Sequence, residues 1–301
     1  MRRAAPVPGQ APLKRSSLYW GVVLMAVVVQ AEAIALWIHS GGFEAQLAAG
    51  ARRAPMDWPL TVAALTVLIS AYTWGKLMIP HLNPRLWDGA LAALDRALCL
   101  GVNPNEVAFT IFAEGPRWTA LALDRYYAAF VPTMLAGAAW FLTDTPARRR
   151  AFLAGFATLW STGLWLYIAV PALGPAFAFR DFLTRIPGVF PLAAAAQEAL
   201  MANYMRVLDL GSGPRTLIAP TLGIAAVPSL HVALHFFLFL WALHLGSRLR
   251  TPFLVMTILT FLGSVATEWH YLVDGLAGLL LAGLAATLSV AVLRWSGDGS
   301  C

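Results

Sequence analysis

The sequence predicts an all-α, polytopic integral membrane bundle of about six or seven spanning helices, with interfacial helices in its long loops. Three observations carry this. The 301-residue chain is 59% hydrophobic and 12% charged, with a mean hydropathy of +0.68, whereas a soluble domain averages about 25% charged residues. A surface this apolar needs the bilayer as its solvent. Apolar stretches of about 20 residues recur along the chain, long enough to cross the hydrocarbon core as helices. They run on without alternating, which argues against a closed barrel.

Taken in order, residues 1–17 are a basic, Pro-containing tail that reads as disordered. Residues 18–294 read as one membrane-embedded domain, and residues 295–301 as a short tail. Spanning segments are expected at 18–39, 58–79, 118–143, 151–172, 229–246, 253–268 and 271–293. "QAEA" at 30–33 resembles a signal-cleavage site, but the first segment is read as retained. Two long connections interrupt the helices. The first, 80–117, contains "LWDGALAALDRALCLG", whose helical spacing of apolar residues suits a helix lying in the interface. The second, 173–228, holds Arg180, Arg185, Arg206 and Arg215 among Gly and Pro. A connection this long is usually functional.

Net charge is +6. The arginines cluster between apolar runs, so they read as topology and headgroup contacts, with no nucleic-acid partner. The short basic loops "TDTPARRR" (143–150) and "GSRLRTP" (246–252) should both be cytoplasmic. The connection 173–228 then lies outside, and a bacterial-type inner or plasma membrane is the expected location. The two cysteines, Cys99 and Cys301, make neither a disulfide framework nor a metal site.

Ionisable groups within membrane segments are expensive and are functional candidates by default. Two stretches hold them: "VPSLHVALH", with Ser229, His231 and His235, and "TEWHYLVDGLAG", with Glu268, His270 and Asp274. From His231 the chain descends one arm and returns along the next. Each arm is about 24–27 Å long at helical rise, so both histidines come to one membrane face. Asp274 follows His270 by one helical turn, where a carboxylate can fix the tautomer and leave the other ring nitrogen basic. This His/His/Asp set fits phosphoryl chemistry, with His270 attacking phosphorus and His231 protonating the leaving oxygen. Ser229 and the N–H groups at the helix start would hold phosphate oxygens. The alternative is a proton-coupled transporter that uses the same cluster as a relay. That reading expects internal repeats, and none is visible.

"VPSLHVA" with "HYLVDGLAG" resembles the type 2 phosphatidic acid phosphatase superfamily, in particular its inositol phosphorylceramide synthase-like branch. "LDRALCLGVNP" (94–104), "DRYYAAFVP" (124–132) and "YIAVPALGPAFAF" (167–179) are similar to that branch too. The resemblance covers roughly 80–290. It implies a lipid phosphate substrate, a phosphohistidine intermediate and no metal or cofactor. It carries His231 over as the acid, His270 as the nucleophile and Asp274 as its partner. The chain departs from the family in three places. It shows no Lys-x6-Arg-Pro motif, it has PSLH where many members have PSGH, and it has Ser264 where they place an arginine. Arg180 and Arg215 are the expected replacement cations, with Arg117 or Arg125 behind them. Several residues receive plainer readings: His235 packs or supports, Glu268 is an interfacial charge, and Asp124–Arg125 is a pair at a helix start.

Overall fold

The structure, a computed structural model, describes residues 54–209 and 218–296. The expected segment 18–39 lies outside these. The described residues form helices only: α1 (Ala54–Leu82), α2 (Asp88–Leu98), α3 (Pro104–Glu114), α4 (Arg117–Ala128), α5 (Phe130–Leu142), α6 (Pro146–Ala169), α7 (Pro175–Ala178), α8 (Arg180–Val189), α9 (Pro191–Leu208), α10 (Leu230–His244), α11 (Arg250–Ala266) and α12 (Leu272–Trp295). Three have apolar stretches long enough to cross a membrane, Thr61–Leu82 in α1 and the whole of α6 and α12; α5, α10 and α11 are shorter apolar helices.

The expected segment 118–143 is two helices, not one. Pro132 explains the break, because its ring clashes with the carbonyl four residues back, at the end of α4. The remaining α5 is about 20 Å long at helical rise.

α10 packs against α5, α6, α11 and α12. Its Leu234, Phe237, Leu238 and Trp241 are fully buried against Phe141, Phe152 and Leu159. Lipid tails are as apolar as leucine, so such helices associate through close fit and small residues. Gly278 on α12 shows this: a Cβ there would collide with the carbonyl of Ser229.

Phe130, at the start of α5, touches His231, while Phe141, near its end, touches Phe253 at the start of α11. The basic loops 143–150 and 246–252 therefore lie at the end of the bundle opposite the histidines. Asn83 Nδ2 donates to the Ile168 carbonyl at 2.9 Å and joins the ends of α1 and α6 near the histidine end.

The short helices α2, α3, α4, α7, α8 and α9 build up that end. α2 is amphipathic as expected, but its two carboxylates point inward: Asp88 and Asp95 are buried with Leu91 and Ala92, while Leu94, Arg96 and Leu98 are exposed. Each carboxylate satisfies N–H groups of another element. Asp95 accepts from Leu272 and Val273 at 2.7 and 2.9 Å, capping α12. Asp88 accepts from Leu173 and Gly174 and from the Tyr271 hydroxyl. Asp124 is not paired at a helix start. It is buried late in α4 and caps α9 through Leu192 and Ala193 at 2.8 and 2.9 Å.

Candidate active site

Ser229 is the N-cap of α10, its Oγ accepting from Val232 N at 3.4 Å. Its backbone N–H donates to the Asp274 carbonyl at 2.8 Å. That bond, with the Gly278 contact, sets the starts of α10 and α12 side by side and brings their polar residues together. His231 Nδ1 lies 3.0 Å from His270 Nε2, and His270 Nδ1 lies 3.5 Å from Asp274 Oδ2. His270 and Asp274 are buried and His231 is partly so.

The order of atoms assigns roles within the chain. Asp274 faces Nδ1 of His270 and favours the proton there, which leaves the Nε2 lone pair toward His231. Asp274 Oδ2 also accepts from Tyr271 N at 2.9 Å, closing a capping box on α12. The carboxylate thus fixes helix start and imidazole together.

The segment carrying His270 is held on all sides. Asn105 Nδ2 donates to the carbonyls of Val265 and His270, both at 2.9 Å. Gln197 Nε2 donates to the Thr267 carbonyl at 2.8 Å. Ala176 N donates to the Glu268 carbonyl at 3.0 Å, and His270 N to the Ser264 carbonyl at 3.1 Å. Gly174 has φ of +99°, and a Cβ there would collide with the Trp269 carbonyl.

Glu268 is not an interfacial charge. It is fully buried, adopts φ of +61°, and both carboxyl oxygens lack hydrogen-bond partners among the described residues. Burial pushes its pKa up to about 9, against the opposing pull of Arg185. Arg185 itself grips Glu106 through two bonds of 2.8 and 2.7 Å, which hold the Glu106 carboxyl below its usual range. That pair borders a cavity of about 620 Å³ that also touches Tyr271; neither histidine lines it.

His235 packs. Its Nδ1 meets Thr260 Oγ1 at 2.7 Å and its Nε2 meets Thr133 Oγ1 at 3.3 Å.

Of the expected phosphate ligands, Ser229 is fully buried and its hydroxyl already caps α10. Arg180 opens α8, described by its backbone alone. Arg215 lies outside the described residues. Arg117 and Arg125 are exposed. A cation that the sequence reading missed is Lys76 on α1. Its Nζ sits 5.6 Å from the ring centre of Tyr167 on α6, the helix against which α1 packs. The signal was present, since Lys76 lies inside an apolar run and the chain has only one other lysine, Lys14. Six residues separate Lys76 from Asn83–Pro84, so the lysine of the absent motif is present and asparagine stands for its arginine. Ser264 is buried, its Oγ donating to the Phe261 carbonyl in its own helix. Asn105 and Gln197 carried no such signal, because their role exists only through contacts distant in sequence.

The sequence profile of the PAP2 superfamily matches residues 89–288, two thirds of the chain. The protein therefore belongs to the PAP2 superfamily, a membership that supports phosphatase- or phosphotransferase-type action on lipid phosphates in general terms. Neither a curated protein nor a solved structure matches it significantly.

Proposed function

We propose that this protein is a membrane-embedded phosphotransferase or phosphatase that passes the phosphoryl group of a lipid phosphate or phospholipid through His270. The observation that carries this reading is the ordered chain His231–His270–Asp274, with contacts of 3.0 and 3.5 Å at one end of the bundle. In the first step the Nε2 lone pair of His270 forms a bond to phosphorus. The ester P–O bond breaks, and the leaving oxygen takes the proton carried by His231. Asp274 stabilises the positive imidazole that results. In the second step water or an alcohol gives its proton to His231 and attacks phosphorus as the P–N bond breaks. The 3.0 Å histidine contact leaves no room for phosphorus, so substrate binding parts the two rings.

Lys76 supplies positive charge to the phosphate, alone or with loop arginines Arg180 and Arg215. Leu230 and Ser264, where many phosphatases have glycine and arginine, support the inositol phosphorylceramide synthase-like, transferring side of the superfamily. The site faces the extracytoplasmic side, opposite the two basic loops.

Rapid quench with ³²P-labelled lipid phosphate tests the mechanism. An acid-labile, base-stable adduct is expected in the wild type and absent from His270→Ala. Persistence in His270→Ala with loss in His231→Ala would reverse the two roles. Lys76→Met is expected to raise KM strongly and Lys76→Arg to restore part of the loss. Wild-type kinetics in Lys76→Met would move the cation elsewhere.

A further inference from the structure

Resting on that reading, we propose that the Tyr127 hydroxyl and the Trp269 indole N–H are the neutral donors that hold the substrate's phosphoryl oxygens against His270. They stand in for the arginines this chain lacks. Both polar atoms are buried, and neither has an acceptor among the described residues. Buried donors are rarely left so. Of the other unpaired indoles, Trp160 and Trp241 belong to the apolar bundle core, and Trp87 packs on the cluster of Leu91, Ala172, Ala226 and Tyr271, with no ring contact to either histidine among the described residues. Tyr127 and Trp269 differ in their place. The Tyr127 ring centre is 5.5 Å from that of His231 and 6.5 Å from that of Trp269, which immediately precedes the nucleophile.

Both rings are held in position. Gly263 leaves the surface of α11 open beneath Tyr127, where a Cβ would come within 2.8 Å of the ring. Phe177 meets Trp269 edge-on at 5.8 Å. Tyr127 belongs to the "DRYYAAFVP" stretch, for which the catalytic chain has no use. The charge inventory supplies the need. With Ser264 and Asn83 at the two arginine positions, Lys76 is the cation that the proposed site keeps among the described residues. One cation cannot serve every phosphoryl oxygen. Fixed donors aimed where negative charge grows in the transition state complete such a site.

The test uses the full chain in detergent and the variants Tyr127→Phe and Trp269→Phe, which keep an aromatic ring and remove the donor. Three quantities are measured: kcat/KM on phosphatidate in mixed micelles, the affinity for orthovanadate by calorimetry, and Tm. Each variant is expected to lose about ten- to a hundredfold in kcat/KM, with a matching loss of vanadate affinity. Tm should hold or rise, because a donor kept unpaired for a ligand costs stability in the free protein. Variants that turn over and bind vanadate as the wild type does would overturn the assignment. A fall in Tm that accounts for the lost activity would overturn it as well. Wild-type protein that binds no vanadate and forms no phosphoenzyme would overturn the parent reading, and the donors with it.

Discussion

Asp274 serves two functions with one carboxylate: it caps α12 and it orients His270. Asp274→Asn preserves shape and removes charge, so activity should fall by about 10²–10⁴-fold, as for other orienting carboxylates. Circular dichroism and size-exclusion profiles should stay unchanged; unfolding of the variant would place the carboxylate's main role in the helix cap. His231→Ala removes only the acid. It should spare p-nitrophenyl phosphate, whose leaving group needs little protonation, more than a lipid phosphate. Equal losses on both substrates would contradict an acid role. Glu268 makes a separate prediction. Its folded pKa of about 9 lies above the ordinary carboxyl value of 4.5. Below both values the carboxyl is protonated in the folded and unfolded states alike. Between them the folded chain keeps a proton that the unfolded chain releases, so stability falls as pH rises through that window. Glu268→Gln cannot ionise and should therefore raise Tm more at pH 8 than at pH 5. An equal shift at both pH values would rule out ionisation as the cause.

Among the helices and their connections, function depends on how one segment is clasped. Residues 267–270 have no regular structure of their own to fix His270, so Asn105, Gln197 and Ala176 supply donors from α3, α9 and α7. Asn105→Ala leaves two buried carbonyls without that partner and should cost about 1–3 kcal/mol of stability. Its kinetic signature should be a lower kcat with KM nearly unchanged, because the amide positions the nucleophile and not the substrate. A rise in KM alone would argue that Asn105 meets the substrate. The α10–α12 contact is equally exacting. Gly278→Val should separate Ser229 from the Asp274 carbonyl and abolish activity even where the protein still inserts.

Across the bundle, the six apolar helices of the described residues place the histidines at one end and the basic loops at the other. The end location suits a headgroup at the membrane surface better than a relay across its midplane. In a chain with both cysteines replaced, a single cysteine at the exposed Arg117, near the histidine end, should react with an impermeant maleimide on intact cells. One at the exposed Arg248 should react only after permeabilisation. The reverse pattern would place the site on the cytoplasmic side.

Several features were legible from the chain alone. Bilayer residence, the approximate limits of the apolar helices at 58–79, 151–172, 229–246, 253–268 and 271–293, and the meeting of His231, His270 and Asp274 all follow from local rules. Hydrophobic run length reports membrane span, and helical rise returns two distant histidines to one face. The break at Ala129 was legible too, since Pro132 marks it, as was Lys76, an ionisable residue in an apolar run. What only the packed bundle reveals is the partner of each polar group. Asp88 and Asp95 read as polar residues of an interfacial helix and Asp124 as half of a pair at a helix start, yet each caps a helix start or loop far along the chain. Glu268 looks interfacial and is buried. Lipid inverts the usual pattern here: apolar faces such as Leu94 and Leu98 turn outward, and polar groups must find each other inside. Periodicity marks which residues share a helix face but not what that face meets, and tertiary contacts decide the rest.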